Sequence, residues 1–275
     1  MRRESVAIGH KSISYLVAEN VTPAVRPPPV RNAVFLHAFP LQAAMWESTL
    51  AAVPEGWRAI APDYRGFGRT PMPVGNSIGL SDLAGDVIDL LDRLEITQAA
   101  VVGCSMGGYV LFEILKSAPR YLCAIGLVST RPGADSDEGR SNREKMIDLV
   151  VREGVGAVAA QMVPKLLGAT TQHDRPDLAT RVNDLVVENT REGVKTAVRA
   201  MMERSDSTPM LGKIDVPTLI VHGVEDALIP PSEAEGMHRA IRGSQLELVP
   251  VAGHLPNLER SELFEWRLWQ FLNKT

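Results

Sequence analysis

Residues 98–116 constrain the fold more tightly than any other stretch of this chain. An apolar run at 98–102 passes without a linker into Gly103-Cys104-Ser105-Met106-Gly107-Gly108, and residues 109–116 continue with helical spacing. A buried strand must therefore turn into a helix within a few residues, with Ser105 at the corner. The string fits the G-x-S-x-G pattern, which sets a serine on a strained strand-to-helix turn with its hydroxyl exposed. Flanking glycines suit that geometry, because strand and helix approach closely only where Cβ atoms are absent. A string this short also arises by chance, so the chain around it decides its weight.

That chain supplies strands and helices in alternation. Residues 6–8 and 12–17 predict an opening hairpin that turns at Gly9-His10, and the proline-rich residues 22–29 predict a connector. Strands follow at 33–36 and 57–61, with a helical stretch at 45–53 between them. Ser81 is placed to cap a helix on which Leu83, Val87, Leu90, Leu91 and Leu94 share one face. Further strands are predicted at 124–128, 217–221 and 245–249. Residues 263–272, with Phe264, Trp266, Leu268, Trp269 and Phe271, predict a closing helix packed on the sheet. This alternation predicts an α/β fold with a mostly parallel central sheet flanked by helices.

Between 131 and 208 the alternation stops. The segment is charge-rich and helical, and Ser141 with Glu144 fits a capping box that opens a helix running through residue 151. Val194, Ala197, Val198, Met201 and Met202 share a helical face. We read residues 131–208 as a helical cap inserted into a core domain formed by 1–130 and 209–275. Met201 and Met202 read as core packing, with pocket lining as the alternative. An insertion this short with apolar helical faces predicts an enclosed and largely apolar pocket.

Composition excludes several classes. With 29 Lys+Arg against 33 Asp+Glu, the net charge is -4 and no basic stripe is present, which argues against a nucleic-acid partner. Arg2 and Arg3 are not followed by an apolar leader, and no apolar run approaches the ~18–20 residues of a membrane span, so a cytoplasmic protein with no membrane partner is expected. Cys104 and Cys123 form no C-x-x-C pair and read as small buried residues in a reducing compartment. His10, His173 and His238 lack metal-ligand spacing. Asp63-Tyr64-Arg65-Gly66-Phe67-Gly68 lacks the Lys-Ser/Thr of a P-loop and the full dinucleotide fingerprint, and reads as a structural turn. No metal, nucleotide or redox cofactor is therefore expected.

Serine is a weak nucleophile near neutral pH; Ser105 needs a base, and the base needs an orienting carboxylate. His254, in Val251-Ala252-Gly253-His254-Leu255-Pro256 just after a predicted strand, is the candidate base. Asp226, in His222-Gly223-Val224-Glu225-Asp226 just past another, is the candidate carboxylate, with Glu225 as the alternative. The order Ser, Asp, His is the one that accompanies this elbow. His37 reads as a loop stabiliser and His222 as a strand cap that positions the acid loop.

Five ordered motifs carry a resemblance over nearly the whole chain: His37 to Pro40 as H-x-F-P, the Asp63 to Gly68 turn, the Ser105 elbow, the H-G-x-x-D loop and the Gly253-His254 loop. Together they resemble the serine hydrolases of the α/β-hydrolase fold superfamily. The resemblance implies that Ser105 attacks, His254 shuttles the proton, Asp226 holds its imidazole, and the backbone N–H groups of Phe39 and Met106 form the oxyanion hole. The family often has His-Gly where this chain has His37-Ala38, which puts the shape of that hole in question. In length and insertion the chain is similar to carboxylesterases and to enol-lactonases of aromatic catabolism. That likeness implies hydrolysis of a neutral or weakly polar ester or lactone of small to moderate size through an acyl-enzyme. Relatives with the same triad also include carbon-carbon bond hydrolases, aminopeptidases and cofactor-free perhydrolases. A noncatalytic small-molecule-binding protein on the same scaffold is the alternative from another class, since fold does not fix function.

Overall fold

The computed structural model describes residues 1–9, 11–21, 30–73 and 78–275. Its strands are β1 (Arg2–Ile8), β2 (Lys11–Asn20), β3 (Arg31–Leu36), β4 (Trp57–Pro62), β5 (Ala99–Cys104), β6 (Leu122–Val128), β7 (Thr218–Gly223) and β8 (Gln245–Val249). They form one eight-stranded sheet in the order β1-β2-β4-β3-β5-β6-β7-β8. The β1–β2 and β2–β4 pairings are antiparallel and the rest are parallel. The fold is therefore α/β with a mostly parallel central sheet.

Parallel neighbours need crossovers, and helices supply them. In chain order these are α1 (Glu47–Ala51), α2 (Leu80–Arg93) and α3 (Met106–Ser117), then α4 (Asp137–Glu153), α5 (Val155–Leu166), α6 (Ala169–Asp174), α7 (Pro176–Val187) and α8 (Arg191–Met202) between β6 and β7. After β7 come α9 (Pro231–Ala240), α10 (Pro256–Glu259) and α11 (Ser261–Leu272). Strands β5 and β7 are buried along their whole length, as expected of strands covered on both faces. Among the described residues no helix is long and apolar enough to cross a membrane.

An aromatic cluster seats α11 on one face of the sheet. Trp269 lies 6.0 Å from Phe35 and 5.6 Å from Trp57, while Trp46 lies 5.3 Å from Phe35 and 5.9 Å from Phe264, centroid to centroid. Trp266 does not share this packing, contrary to the sequence expectation: it is 58% exposed, with the Arg267 guanidinium over its ring. Two residues on from Phe264, at roughly 100° per residue, it points to the opposite side of the helix.

Two predicted caps are corrected. Gly79, in extended conformation, precedes α2, and its N–H donates to the Asp82 carboxylate at 2.8 Å, so Ser81 lies inside the helix. Ser136 caps α4 by accepting from Gly139 N at 3.2 Å, with Asp137 and Glu138 in the first turn. The acidic first turn favours that start, and Ser141 and Glu144 fall on the helix's exposed side. The helical stretch at 45–53 is a 3-10 turn, Ala43–Trp46, followed by α1. The predicted connector at 22–29 and the hairpin residue His10 lie outside the described residues.

Candidate active site

Ser105 sits between β5 and α3 with φ 53° and ψ -111°, a left-handed position that costs a non-glycine residue conformational energy. Neighbouring bonds hold it there. Its N–H donates to Val128 O at 2.8 Å, and its carbonyl accepts from Gly108 N at 2.9 Å and from the Thr130 hydroxyl at 2.9 Å. The glycines are sterically required. A Cβ on Gly103 would lie 2.3 Å from Gly107 O, and one on Gly107 would lie 2.2 Å from Leu36 O. Cys104 is fully buried with a free thiol that burial pushes up, while Cys123 is free and exposed.

Asp226 and His254 meet from two loops beyond β7 and β8. His254 Nδ1–H donates to Asp226 Oδ2 at 2.7 Å. Asp226 Oδ1 accepts from Leu228 N at 2.8 Å and Ile229 N at 3.0 Å. Burial opposes ionisation of this carboxyl, but His254, His222 and the Ile229 N–H outweigh burial and hold it well below the usual carboxylate range. With Nδ1 engaged as donor, His254 Nε2 is left as the basic nitrogen. His222 Nε2 donates to Ile229 O at 2.9 Å and stands 3.3 Å from Asp226 Oδ2, so it steadies the acid loop. Glu225 is turned away: its carboxylate accepts from Thr170 N at 2.8 Å and Thr170 Oγ1 at 2.6 Å.

Beside the elbow runs the His37-Ala38-Phe39-Pro40 loop. Among the described residues, neither Phe39 N–H nor Met106 N–H donates a hydrogen bond. Ala38 is not one of the left-handed positions, so alanine strains nothing there, and its N–H points to Met45 Sδ at 3.2 Å. His37 is fully buried, accepts from Tyr64 N at 3.2 Å and contacts Ala38 O through Nδ1 at 3.1 Å. Burial pulls its pKa down to about 4, so it stays neutral and acts on the loop alone. The Asp63–Gly68 segment is a turn organised by the Asp63 carboxylate, which accepts from Ala43 N at 2.8 Å and Arg69 N at 3.0 Å.

A profile of the alpha/beta hydrolase fold matches residues 34–261. The chain belongs to that family. It is similar to 3-oxoadipate enol-lactonase 1 of Acinetobacter baylyi, 26% identical over 232 residues that cover 84% of each chain. It is similar too to the pimeloyl-acyl-carrier-protein methyl ester esterase of Neisseria meningitidis, 26% identical over 244 residues, 86% of this chain and 91% of that one. Among solved structures, a malate-bound thermophilic esterase from Thermogutta terrifontis superimposes with a TM-score of 0.89 at 29% identity, covering 100% of this chain and 99% of that one. The alpha/beta hydrolase chain is accordingly a hydrolase.

In this hydrolase Ser105, His254 and Phe39 open onto one cavity of about 350 Å³, at the small end of ligand pockets. Its wall differs from the apolar expectation. Arg131, Asp135, Arg143, Lys145 and Lys165 line it together with Met146, Met162 and Met201. Much of the apolar surface of α4, α5, α7 and α8 is buried, as at Val150, Val158, Val182 and Val198, so the cavity wall combines the three methionines with charged side chains. Met201 is buried and also lines the cavity; Met202 is only partly buried.

Several residues that hold the site are not evident from sequence. Glu259, 4% exposed, accepts from Gly168 N at 2.8 Å, Gly253 N at 2.9 Å and Leu255 N at 3.1 Å, clamping both sides of His254 to the α5–α6 connection. His254 N itself donates to Leu166 O at 3.1 Å. Asn189 bridges Pro40 O at 2.8 Å and Gly68 N at 2.8 Å. All these contacts run to backbone groups, which carry no side-chain pattern to read, and those to Gly168, Pro40, Gly68 and Leu166 are also distant in sequence.

Proposed function

We propose that the chain hydrolyses a small carboxylic ester or lactone through an acyl-enzyme, with Ser105 as nucleophile, His254 as general base and then acid, and Asp226 as the orienting carboxylate. One observation carries this reading: the 2.7 Å Asp226–His254 hydrogen bond lies behind an imidazole that shares a cavity wall with the strained Ser105. Ser105 Oγ attacks the carbonyl carbon as His254 Nε2 takes its proton. The tetrahedral oxyanion is held by the Phe39 and Met106 N–H groups. Its collapse breaks the bond to the alcohol oxygen, which leaves with the proton from His254. Water then adds to the acyl carbon, giving its proton to His254, and Ser105 is released with the acid. In a lactone the same bonds change within one molecule and the ring opens.

Helices α4–α8 act as a cap that bounds the cavity and sets its size, supported by Met146, Met162 and Met201 on its wall. The 3-oxoadipate enol-lactonase and methyl ester esterase relatives support ester and lactone chemistry. The test is an activated aryl acetate together with a fluorophosphonate probe. Wild-type protein turns over the ester and gains one phosphonyl adduct at Ser105 by peptide mass spectrometry. A folded Ser105→Ala protein does neither, with kcat lower by on the order of 10⁴. Near-normal turnover by Ser105→Ala, or labelling elsewhere, overturns the assignment.

A further inference from the structure

The cavity that holds Ser105 and His254 is bounded by four cationic side chains, Arg131, Arg143, Lys145 and Lys165, against the single carboxylate of Asp135. In a chain of net charge -4 this is a local concentration of positive charge. Asp135 cannot neutralise it. Its carboxylate already accepts from Arg131 Nη2 at 2.7 Å, Arg143 Nε at 3.1 Å and Arg204 Nη1 at 2.9 Å, which leaves the cluster cationic.

The three guanidiniums are not equivalent. Arg204 is buried and fully committed: it donates to Gly133 O at 2.8 Å and Met201 O at 2.8 Å and lies 4.3 Å over the Tyr109 ring. Arg131 and Arg143 keep 29% and 22% of their side chains exposed and line the cavity. Arg131 Nε is buried without a partner. A guanidinium offers five donors in a planar fork that matches a carboxylate, and Arg131 uses only part of it. Its position is tied to the nucleophile. The preceding Thr130 donates to Ser105 O at 2.9 Å, so the base of Arg131 stands one residue from a side chain that touches the elbow.

We propose that the site takes an ester or lactone bearing a second, ionised carboxylate, which Arg131 and Arg143 hold while the scissile carbonyl rests at Ser105. This rests on the hydrolase reading of Ser105, Asp226 and His254. Lys145 and Lys165, exposed at the cavity, draw the anion in. The volume of about 350 Å³ suits a short diacid skeleton.

The experiment compares matched neutral and anionic substrates. On the acyl side, 4-nitrophenyl pentanoate is set against 4-nitrophenyl hydrogen glutarate; on the alcohol side, phenyl acetate against 4-acetoxybenzoate. The anionic member of at least one pair is expected to have a kcat/KM about tenfold higher or more, and the ratio should shrink as salt is raised. Arg131→Gln should lower that ratio about tenfold, and Arg131→Lys, which keeps the charge but not the fork, should lower it less. Equal or better turnover of the neutral member in both pairs overturns the proposal, as does an equal loss on both members in Arg131→Gln. The wild-type ratio decides the matter even where the variant fails to fold. Turnover without preference removes the carboxylate proposal alone, whereas no turnover of any of these esters removes the hydrolase reading beneath it.

Discussion

Glu259→Gln perturbs the loop that carries His254 without touching the elbow. Both carboxylate oxygens are in use: Oε1 accepts from Gly253 N and Leu255 N, and Oε2 from Gly168 N. An amide offers one acceptor oxygen, so whichever way it turns, its NH₂ faces at least one buried backbone N–H. A hydrogen bond to a charged group contributes about 1.5–3 kcal/mol, and an orphaned buried donor costs a similar amount. The expected loss of stability is about 2–3 kcal/mol, or roughly 4–12 °C in Tm at about 2–4 °C per kcal/mol for chains near this size. Because Gly253 and Leu255 flank His254, the imidazole also loses its fixed placement against Ser105. A fall in kcat of about tenfold or more is expected, with KM moving less. Differential scanning calorimetry and ester kinetics on the same preparation read both effects. A Tm within about a degree of wild type together with an unchanged kcat would refute the clamp.

Asp226→Asn should leave the fold intact and lower kcat by on the order of 10² to 10⁴, because the amide no longer holds the right imidazole tautomer; Glu225→Gln, which lies against Thr170, should cost far less, and the reverse ranking would name the wrong carboxylate. Gly107→Ala would place a Cβ 2.2 Å from Leu36 O, a backbone atom that cannot swing aside, so the elbow should open and soluble yield and activity should fall together. His37 supplies a pH dependence. Its pKa is lowered to about 4 by burial, so the unfolded chain takes up the proton first. Its stability is complete above the unfolded value of about 6.5 and is lost as pH falls toward about 4, by up to roughly 3 kcal/mol. Urea midpoints measured from pH 7.5 to 4.5 should drop, and the drop should be smaller in His37→Gln; identical profiles for the two proteins would sink the assignment.

The central parallel strands were legible because they are buried on both faces and carry apolar runs, as in Ala99–Cys104 and in Leu219, Ile220 and Val221 of β7, whereas the edge strand β8, Gln245–Val249, is only partly buried. Helix starts were less so. Ser81 and Ser141 carry side chains suited to capping, yet Gly79 and Ser136 hold the cap positions, because backbone entry and the acidic first turn decide between neighbouring candidates. Trp266 shows a similar limit. An aromatic residue inside a helix that packs through Phe264 and Trp269 need not share their face, and the two-residue offset places it outside.

The three candidate catalytic side chains were readable for a topological reason. Each follows the carboxyl end of a strand in the same parallel sheet, Ser105 after β5, Asp226 after β7 and His254 after β8, and parallel strands bring those ends to one edge. Motif order along the chain therefore translates into convergence in space. The cavity wall has no such translation. Amphipathic helices between β6 and β7 suggested an apolar pocket, but an apolar helical stripe is consumed first by packing against other helices, as Val150, Val158, Val182 and Val198 show. The cavity wall is mixed instead: Met146, Met162 and Met201 share it with Arg143 of α4 and with Arg131 and Asp135 from the β6–α4 connection, where the two guanidiniums meet around the Asp135 carboxylate. The charged residues of that wall come from a connection as well as from helix faces, so helical periodicity alone does not reveal them, although among the charged residues lining the cavity the cations outnumber the carboxylate.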